Sequence, residues 1–261
     1  MRVVHRRAIT ARGIVASLSW MMSSTMPSRA GVPQGIEARC LEETAVPGAY
    51  INPCMQDPSR VFEWPTTGRI TIEQGAVGPG STGAAVWTAG NSLSAFLATE
   101  GGAMVRGRRC IELGCGTGLC GIVAARLGAT EVLLTDGNTL VCERARANVE
   151  RNVQPSTACS VRLLTWSETV DTDLQGKFDV VLASDVLYQA SAWRPLTLCA
   201  KELLRPGGSL LLAEAGHELT PAAASVTGFR ACAEGAGLVV EEELEADSLG
   251  ATLLLRARAV R

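Results

Sequence analysis

The sequence is short of lysine, histidine and aromatic residues, and it has no long apolar run. Only Lys177 and Lys201 are lysines among 24 basic residues, and 26 acidic residues bring the net charge to −2. Such a chain lacks the broad basic face that nucleic-acid binding needs to neutralise phosphates. No apolar run reaches the ~18–20 residues of a membrane-spanning helix. Composition therefore predicts neither a nucleic-acid nor a membrane partner.

Cysteine is present, but without the spacing of a metal site or a disulfide framework. The nine cysteines include no Cys-x-x-Cys pair, and Cys110, Cys115 and Cys120 are spread over a predicted strand, loop and helix. We therefore interpret the cysteines as free thiols and expect no metal site. The odd count favours a reducing compartment, so a cytoplasmic location is predicted.

The first 47 residues differ in composition from the rest of the chain. Residues 1–33 contain five arginines and several serines, and the first acidic residue is Glu37. Such a segment is typical either of a disordered tail or of a transit peptide, which would place the protein in a mitochondrion or plastid. Residues 48–261 are long enough for one α/β domain with a sizeable core, and we expect a monomer.

Strand and helix patterns alternate from residue 108 onward. Strands are predicted at 109–114, 131–136, 160–166, 178–185 and 209–215, and helices at 119–127, 138–152, 192–204 and 221–237. This alternation predicts a parallel sheet covered on both faces. The final strands, "LVVEEELEA" and "ATLLLRARA", are joined too closely for a crossover and must be antiparallel. The fold class is therefore α/β, a doubly wound Rossmann-like sheet of seven strands, five parallel plus a terminal antiparallel hairpin.

An N-terminal extension precedes this core. The stretch "RVFEWPTTGRITIEQ" (60–74) alternates apolar and polar residues on either side of a turn, which predicts a β-hairpin. Residues 75–83 predict a loop. Residues 86–100 predict a helix, because Leu93, Phe96 and Leu97 recur at helical spacing.

The stretch "IELGCGTGLCG" (111–121) places four glycines at the end of the first core strand. Ligands of open α/β sheets bind beyond the carboxyl ends of the strands. Gly114, Gly116 and Gly118 permit positive φ and clear side chains from a surface that a ligand must approach. A dinucleotide fingerprint would need glycine or alanine at Leu119, which disfavours an NAD oxidoreductase. A tight turn without a ligand remains an alternative.

Two further strand ends carry aspartates. Asp136 ends the second core strand, where a carboxylate can accept hydrogen bonds from two ribose hydroxyls. Asp185 follows the fourth core strand, and Tyr188 comes three residues later. A carboxylate at that place can align a target amine. In each case a helix N-cap is the alternative.

The segments "VWTAG", "ELGCGTGLCGIVAARLGA", "LLTD", "LTW" and "FDVVLASDVLY" occur in this order. Together they resemble the class I, seven-β-strand protein-lysine methyltransferases with an Asp-x-x-Tyr motif, of the methyltransferase-like 21 type. The resemblance covers residues 62–260. It implies methyl transfer from S-adenosyl-L-methionine to a side chain of a protein substrate, with lysine Nε as the expected acceptor. A small-molecule N- or O-methyltransferase and a non-catalytic methyltransferase-like scaffold remain alternatives.

The resemblance also implies a cofactor-binding set drawn from strand ends and loops. Its members are Trp87, Glu112, Gly114, Cys115, Gly116, Asp136, Trp166 and Ser184. Trp87 and the glycine stretch, with Glu112 beneath it, are expected at the methionine end of the cofactor. Asp136 is expected at the ribose and Trp166 at the adenine. Ser184 is expected to line the pocket through its backbone.

The resemblance assigns the catalytic pair to the Asp-x-x-Tyr motif. Asp185 and Tyr188 occupy its two positions, and Asp185 would orient the target amine. Trp20, Trp64 and Trp193 carry no such motif and are interpreted as structural.

Overall fold

The computed structural model describes residues 53–78, 80–215, 222–245 and 252–259. The predictions of a tail or transit peptide over residues 1–47, together with Trp20, lie outside these ranges, as does the domain boundary at residue 48. Within the described ranges no helix is long and apolar enough to cross a membrane.

A two-stranded sheet forms the N-terminal part of the described chain. β1 (Ser59–Trp64) and β2 (Gly68–Glu73) pair antiparallel, with Trp64 opposite Gly68 at the turn. The alternation of the sequence buries Phe62, Ile70 and Ile72, while the residues between them are less buried. The predicted N-terminal hairpin extension is confirmed.

The main sheet has seven strands. They are β3 (Arg109–Leu113), β4 (Glu131–Asp136), β5 (Cys159–Leu163), β6 (Phe178–Ser184), β7 (Leu204–Ala215), β8 (Leu238–Glu245) and β9 (Thr252–Ala259). Their order is β5-β4-β3-β6-β7-β9-β8. β3 to β7 run parallel, and β9 is antiparallel to both of its neighbours. The predicted doubly wound sheet is therefore confirmed. The strand order reverses at β3, so ligand binding is expected beyond the ends of β3, β4 and β6.

Helices cover both faces of this sheet. They are α1 (Thr88–Phe96), which continues through a π turn (Leu97–Gly101) into α2 (Gly102–Val105), α3 (Leu119–Arg126), α4 (Thr139–Asn152), α5 (Ala190–Leu203) and α6 (Ala222–Gly235). Short 3-10 turns lie at Pro53–Met55 and Thr82–Ala84. One core cluster includes Leu93 of α1 and Ile122 of α3, and the other includes Leu196 of α5 and Phe229 of α6.

Some element boundaries differ from the sequence predictions. β5 ends at Leu163, so Trp166 lies in the loop that follows instead of in the strand. β7 begins at Leu204, the last residue of a predicted helix, and not at residue 209, because Leu204 pairs with Phe178 across an irregular register. Gly207 takes a φ of 79° within this stretch, a conformation open to glycine.

The cysteines are mostly free thiols, as predicted. Free thiols are found at Cys110, Cys115, Cys120, Cys142, Cys159, Cys199 and Cys232. Cys54 is disulfide-bonded, which differs from the prediction. In the part of the chain that the structure describes, no cluster of three or more histidine, cysteine, aspartate or glutamate residues is placed to hold a metal ion.

Candidate functional site

A cavity of about 440 Å³ lies beyond the carboxyl ends of β3, β4 and β6. Its size falls within the ~300–1,000 Å³ typical of small-molecule sites. Its lining includes all ten residues singled out from the sequence: Trp87, Glu112, Gly114, Cys115, Gly116, Asp136, Trp166, Ser184, Asp185 and Tyr188. The fold therefore brings together residues that are spread over about 100 positions of the sequence.

The glycine loop that follows β3 requires its glycines. The φ angles of Gly114, Gly116 and Gly118 are 68°, 53° and 87°. A Cβ added at Gly114 would lie 3.1 Å from the Trp166 ring, and one added at Gly118 would lie 2.7 Å from the Leu134 side chain. Larger residues would therefore meet both backbone strain and close contacts.

Glu112 belongs to the strand that precedes this loop and lines the cavity. Its carboxyl is buried, and Oε2 accepts a hydrogen bond of 2.8 Å from the Gly121 amide in the first turn of α3. The N-cap of α3 is Gly118, which has no side chain for this purpose, so Glu112 satisfies an amide at the helix start. Burial raises the pKa of Glu112 to about 8.

Asp136 ends β4 with both carboxylate oxygens directed to main-chain donors. Oδ2 accepts the Gly116 amide at 3.2 Å and Oδ1 accepts the Asn138 amide at 3.0 Å. The cap of α4 is Asn138, whose side chain accepts two amides of the first turn, so Asp136 is not the helix cap. Burial raises the pKa of Asp136. A carboxylate offers about four acceptor positions, so the main-chain donors leave capacity for a hydroxyl donor.

Two indoles and a hydroxyl also belong to the set predicted to bind the cofactor. Trp87 precedes α1, and its Nε1 donates to the Thr82 carbonyl at 2.7 Å, which fixes the ring beside the 3-10 turn. Trp166 also lines the cavity, and its ring lies against Gly114. Ser184 ends β6, with its Oγ 3.8 Å from the Cys120 Sγ.

Asp185 has an unusual backbone conformation. Its φ of 51° is the only positive value at a non-glycine residue in the described ranges. Its Oδ2 accepts the Ala89 amide at 3.2 Å, and its Oδ1 accepts the Ala215 amide at 3.3 Å. The N-cap of α5 is Gln189, so Asp185 is not the helix cap. Rare backbone conformations that neighbours hold in place are concentrated at functional sites.

Tyr188 lies at the rim of the cavity and is 47% exposed, which does not fit a packing role. The residue before it is held by two side chains that the sequence did not reveal. The Leu187 amide donates to Glu214 Oε2 at 3.2 Å, and its carbonyl accepts from Trp193 Nε1 at 2.9 Å. The structure thus places Trp193 beneath the Asp-x-x-Tyr segment.

Glu214 is fully buried at the end of β7. Burial, followed by the charge of Asp185, raises its pKa to about 8. A glutamate within the apolar run "SLLLAEA" is a sequence signal that could have identified this residue, because charged side chains are rarely buried without a specific environment.

Known lysine methyltransferases resemble this chain in sequence. The family model described as lysine methyltransferase matches residues 66–218. Protein N-lysine methyltransferase METTL21A of Mus musculus is 38% identical over 132 residues, which cover 50% of this chain and 59% of that protein. Calmodulin-lysine N-methyltransferase of Arabidopsis thaliana is 28% identical over 165 residues, which cover 62% of this chain and 52% of that protein. The chain thus spans less than two thirds of the length of these relatives.

Solved structures share the fold at low sequence identity. Magnesium protoporphyrin IX methyltransferase (ChlM) from Synechocystis PCC 6803 has a TM-score of 0.51 and 18% identity, covering 65% of this chain and 77% of that chain. The PH0226 protein from Pyrococcus horikoshii OT3 has a TM-score of 0.52 and 14% identity, covering 65% and 88%. These likenesses concern the fold alone. Because the lysine methyltransferase model spans more than half of the sequence, the chain belongs to the lysine methyltransferase family.

Proposed function

We propose that the protein binds S-adenosyl-L-methionine in the cavity and transfers its methyl group to a lysine side chain of a protein substrate. The observation that carries this proposal is the convergence of the glycine loop, Asp136 and the Asp185–Tyr188 pair on one cavity. Family membership supports lysine as the acceptor, and the relatives named above carry lysine methyltransferase names.

The residues present fit such a cofactor. Asp136 offers an acceptor for a ribose hydroxyl, and Trp166 offers an aromatic face for the adenine. Gly114 and Gly116 line the cavity and carry no side chain that could fill it. The face of Trp87 would attract a nearby cation by ~0.5–2 kcal/mol. When bound, S-adenosylmethionine supplies a methyl group on a sulfur that is already a good leaving group.

The contribution of the chain is alignment. Holding two reacting groups in line contributes ~7–11 kcal/mol to a bimolecular reaction. Asp185 lines the cavity, and the Ala89 and Ala215 amides orient its carboxylate. There it would accept a hydrogen bond from the target amine. With a free pKa of ~10.4, deprotonating lysine at pH 7 costs ~4.6 kcal/mol. Desolvation in the cavity lowers that cost, so Asp185 need only orient the amine.

The position of the hairpin supports a protein substrate over a small molecule. None of the residues of β1 and β2 lines the cavity. The hairpin instead pairs with Asn148 and Asn152 of α4. The exposed Tyr188 lies at the cavity rim, where a side chain from another protein would enter.

A labelling experiment tests the proposal. The full chain is incubated with radiolabelled S-adenosylmethionine and a fractionated cell extract, beside Asp185→Asn. We expect one or a few protein bands that only the wild type labels, with methyllysine as the labelled residue. Label confined to the small-molecule fraction would overturn the protein substrate. Calorimetric cofactor binding without any transfer would support the scaffold alternative.

A further inference from the structure

Helix α4 buries two asparagines on the same face, one turn apart. Asn148 is 0% exposed and Asn152 is 8% exposed. Buried amides are costly unless they are hydrogen-bonded, so their partners show what the pair is for. Those partners lie on β2 and in the glycine loop.

Both asparagines dock the hairpin. Asn152 accepts the Thr71 amide at 2.9 Å and donates to the Thr71 carbonyl at 2.8 Å. Asn148 accepts the Glu73 amide at 2.8 Å and donates to the Glu73 carbonyl at 3.1 Å. Thr71 and Glu73 are two residues apart, so their main-chain groups face the same side of β2. The two side chains therefore take the place of a neighbouring strand.

Only Asn148 also reaches the glycine loop. Its Nδ2 donates to the Thr117 carbonyl at 2.9 Å. Thr117 is buried between Gly116 and Gly118, and it lines the cavity, whereas Asn148 does not. The additional bond of Asn152 instead goes to the Asn148 carbonyl, at 2.7 Å.

We propose that Asn148 is a positioning residue for cofactor binding, which acts through Thr117. By bonding β2 and the loop with one amide, Asn148 makes the docked hairpin a brace for the glycine loop. Glycines lose more conformational freedom on ordering than other residues, so a loop held in its binding conformation binds with a smaller entropic loss. The identity of the ligand rests on the function proposed above, while the brace itself does not.

The test compares Asn148→Ala with Asn152→Ala in the full chain. Both variants lose two hydrogen bonds to β2, so we expect similar decreases in melting temperature. Only Asn148→Ala removes the donor to Thr117. We expect its Kd for S-adenosylhomocysteine, measured by calorimetry, to rise about tenfold, against about twofold or less for Asn152→Ala. The KM for S-adenosylmethionine should rise more than kcat falls.

An equal weakening of S-adenosylhomocysteine binding in the two variants, or an unchanged Kd in Asn148→Ala, would contradict the proposed role of Asn148. If the alanine variants do not fold, Asn148→Ser and Asn152→Ser give the same comparison. Hydrogen exchange is measured without ligand, at the Gly118 amide that bonds the Cys115 carbonyl. It should be faster in the Asn148 variant alone, and equal exchange would overturn the brace. Wild type that binds no S-adenosylhomocysteine would instead contradict the proposed function.

Discussion

Strand β6 carries an aspartate at each end, and the two have different surroundings. Asp179, near the amino end, forms ion pairs with Arg205 and Arg108 and accepts the Arg109 amide at 2.8 Å. Asp185, beyond the carboxyl end, accepts two main-chain amides, has a positive φ and lines the cavity. Guanidinium partners neutralise a carboxylate, whereas amides orient it and leave its charge available. Asp179 therefore stabilises one end of the sheet, whereas Asp185 lines the cavity at the other end.

The aspartates give the prediction with the largest expected effect. Asp185→Asn should lower kcat/KM at least about a hundredfold, because misaligned reactants lose rates of that order. Its cofactor Kd should stay within about threefold of wild type. Asp179→Asn should keep the rate and lose about 1–3 kcal/mol of unfolding free energy. Steady-state kinetics, calorimetry and thermal melts measure the three quantities. If Asp179→Asn lowered kcat/KM and left the free energy of unfolding unchanged, the contrast between the two aspartates would be contradicted.

A pair of glycines sharpens the comparison. Gly107, just before β3, and Gly114, just after it, both have a φ of 68°. An alanine at either position pays roughly 1–2 kcal/mol in backbone strain. Nothing lies within 4 Å of a Cβ at Gly107, while one at Gly114 would meet Val186 at 3.0 Å. Gly114→Ala should weaken S-adenosylhomocysteine binding at least about tenfold. Equal affinities for the two variants would contradict the site.

Two tryptophans give a smaller effect. Trp87 lines the cavity, whereas Trp64 stacks on Phe62 with ring centroids 5.9 Å apart. Trp87→Leu should weaken S-adenosylmethionine by about 2- to 30-fold, which corresponds to the loss of ~0.5–2 kcal/mol of cation–π attraction. S-adenosylhomocysteine lacks the positive charge and should lose less. Trp64→Leu should leave both affinities unchanged, and calorimetry with both ligands would reveal any departure.

The last prediction concerns the pH dependence of stability. Burial raises the pKa of Glu112 and of Glu214 from 4.5 to about 8. The folded chain therefore holds protons that the unfolded chain releases above pH 4.5. The protons held by these two carboxyls stabilise the folded state. This contribution to the free energy of unfolding is fully present below about pH 4.5 and is lost as the pH rises towards 8.

Between pH 4.5 and 8 the free energy of unfolding should therefore fall as the pH rises. Glu112→Gln and Glu214→Gln should each remove one proton's contribution to the slope of this pH dependence. Urea unfolding at several pH values between 5 and 8 measures the slope. A slope that is the same in wild type and both variants would show that neither carboxyl holds its proton in the folded state.

The sequence predicted which residues meet at the cavity, for a physical reason. The glycine loop, Asp136 and Asp185 each follow a parallel strand directly, and the carboxyl ends of such strands meet at one edge. The alternation of strands and helices in the sequence was therefore enough to predict that these residues lie close together. The positive φ of Asp185 was not predicted, because it depends on contacts with α1 and β7.

The supporting residues were missed because their partners are distant in the sequence. Asn148 and its partner Glu73 are separated by 75 positions. On an isolated helix, asparagine predicts a solvated face. The one available signal was spacing, since Asn148 and Asn152 continue the buried edge of Val141 and Ala145 at intervals of three and four residues.

A crystal structure of the full chain with S-adenosylhomocysteine tests the central claim most directly. The account predicts a ribose hydroxyl on the Asp136 carboxylate, the adenine against Trp166 and the sulfur on the side of the cavity where Trp87 and Asp185 lie. A ligand bound elsewhere, or one bound in the cavity with its ribose away from Asp136, would contradict it.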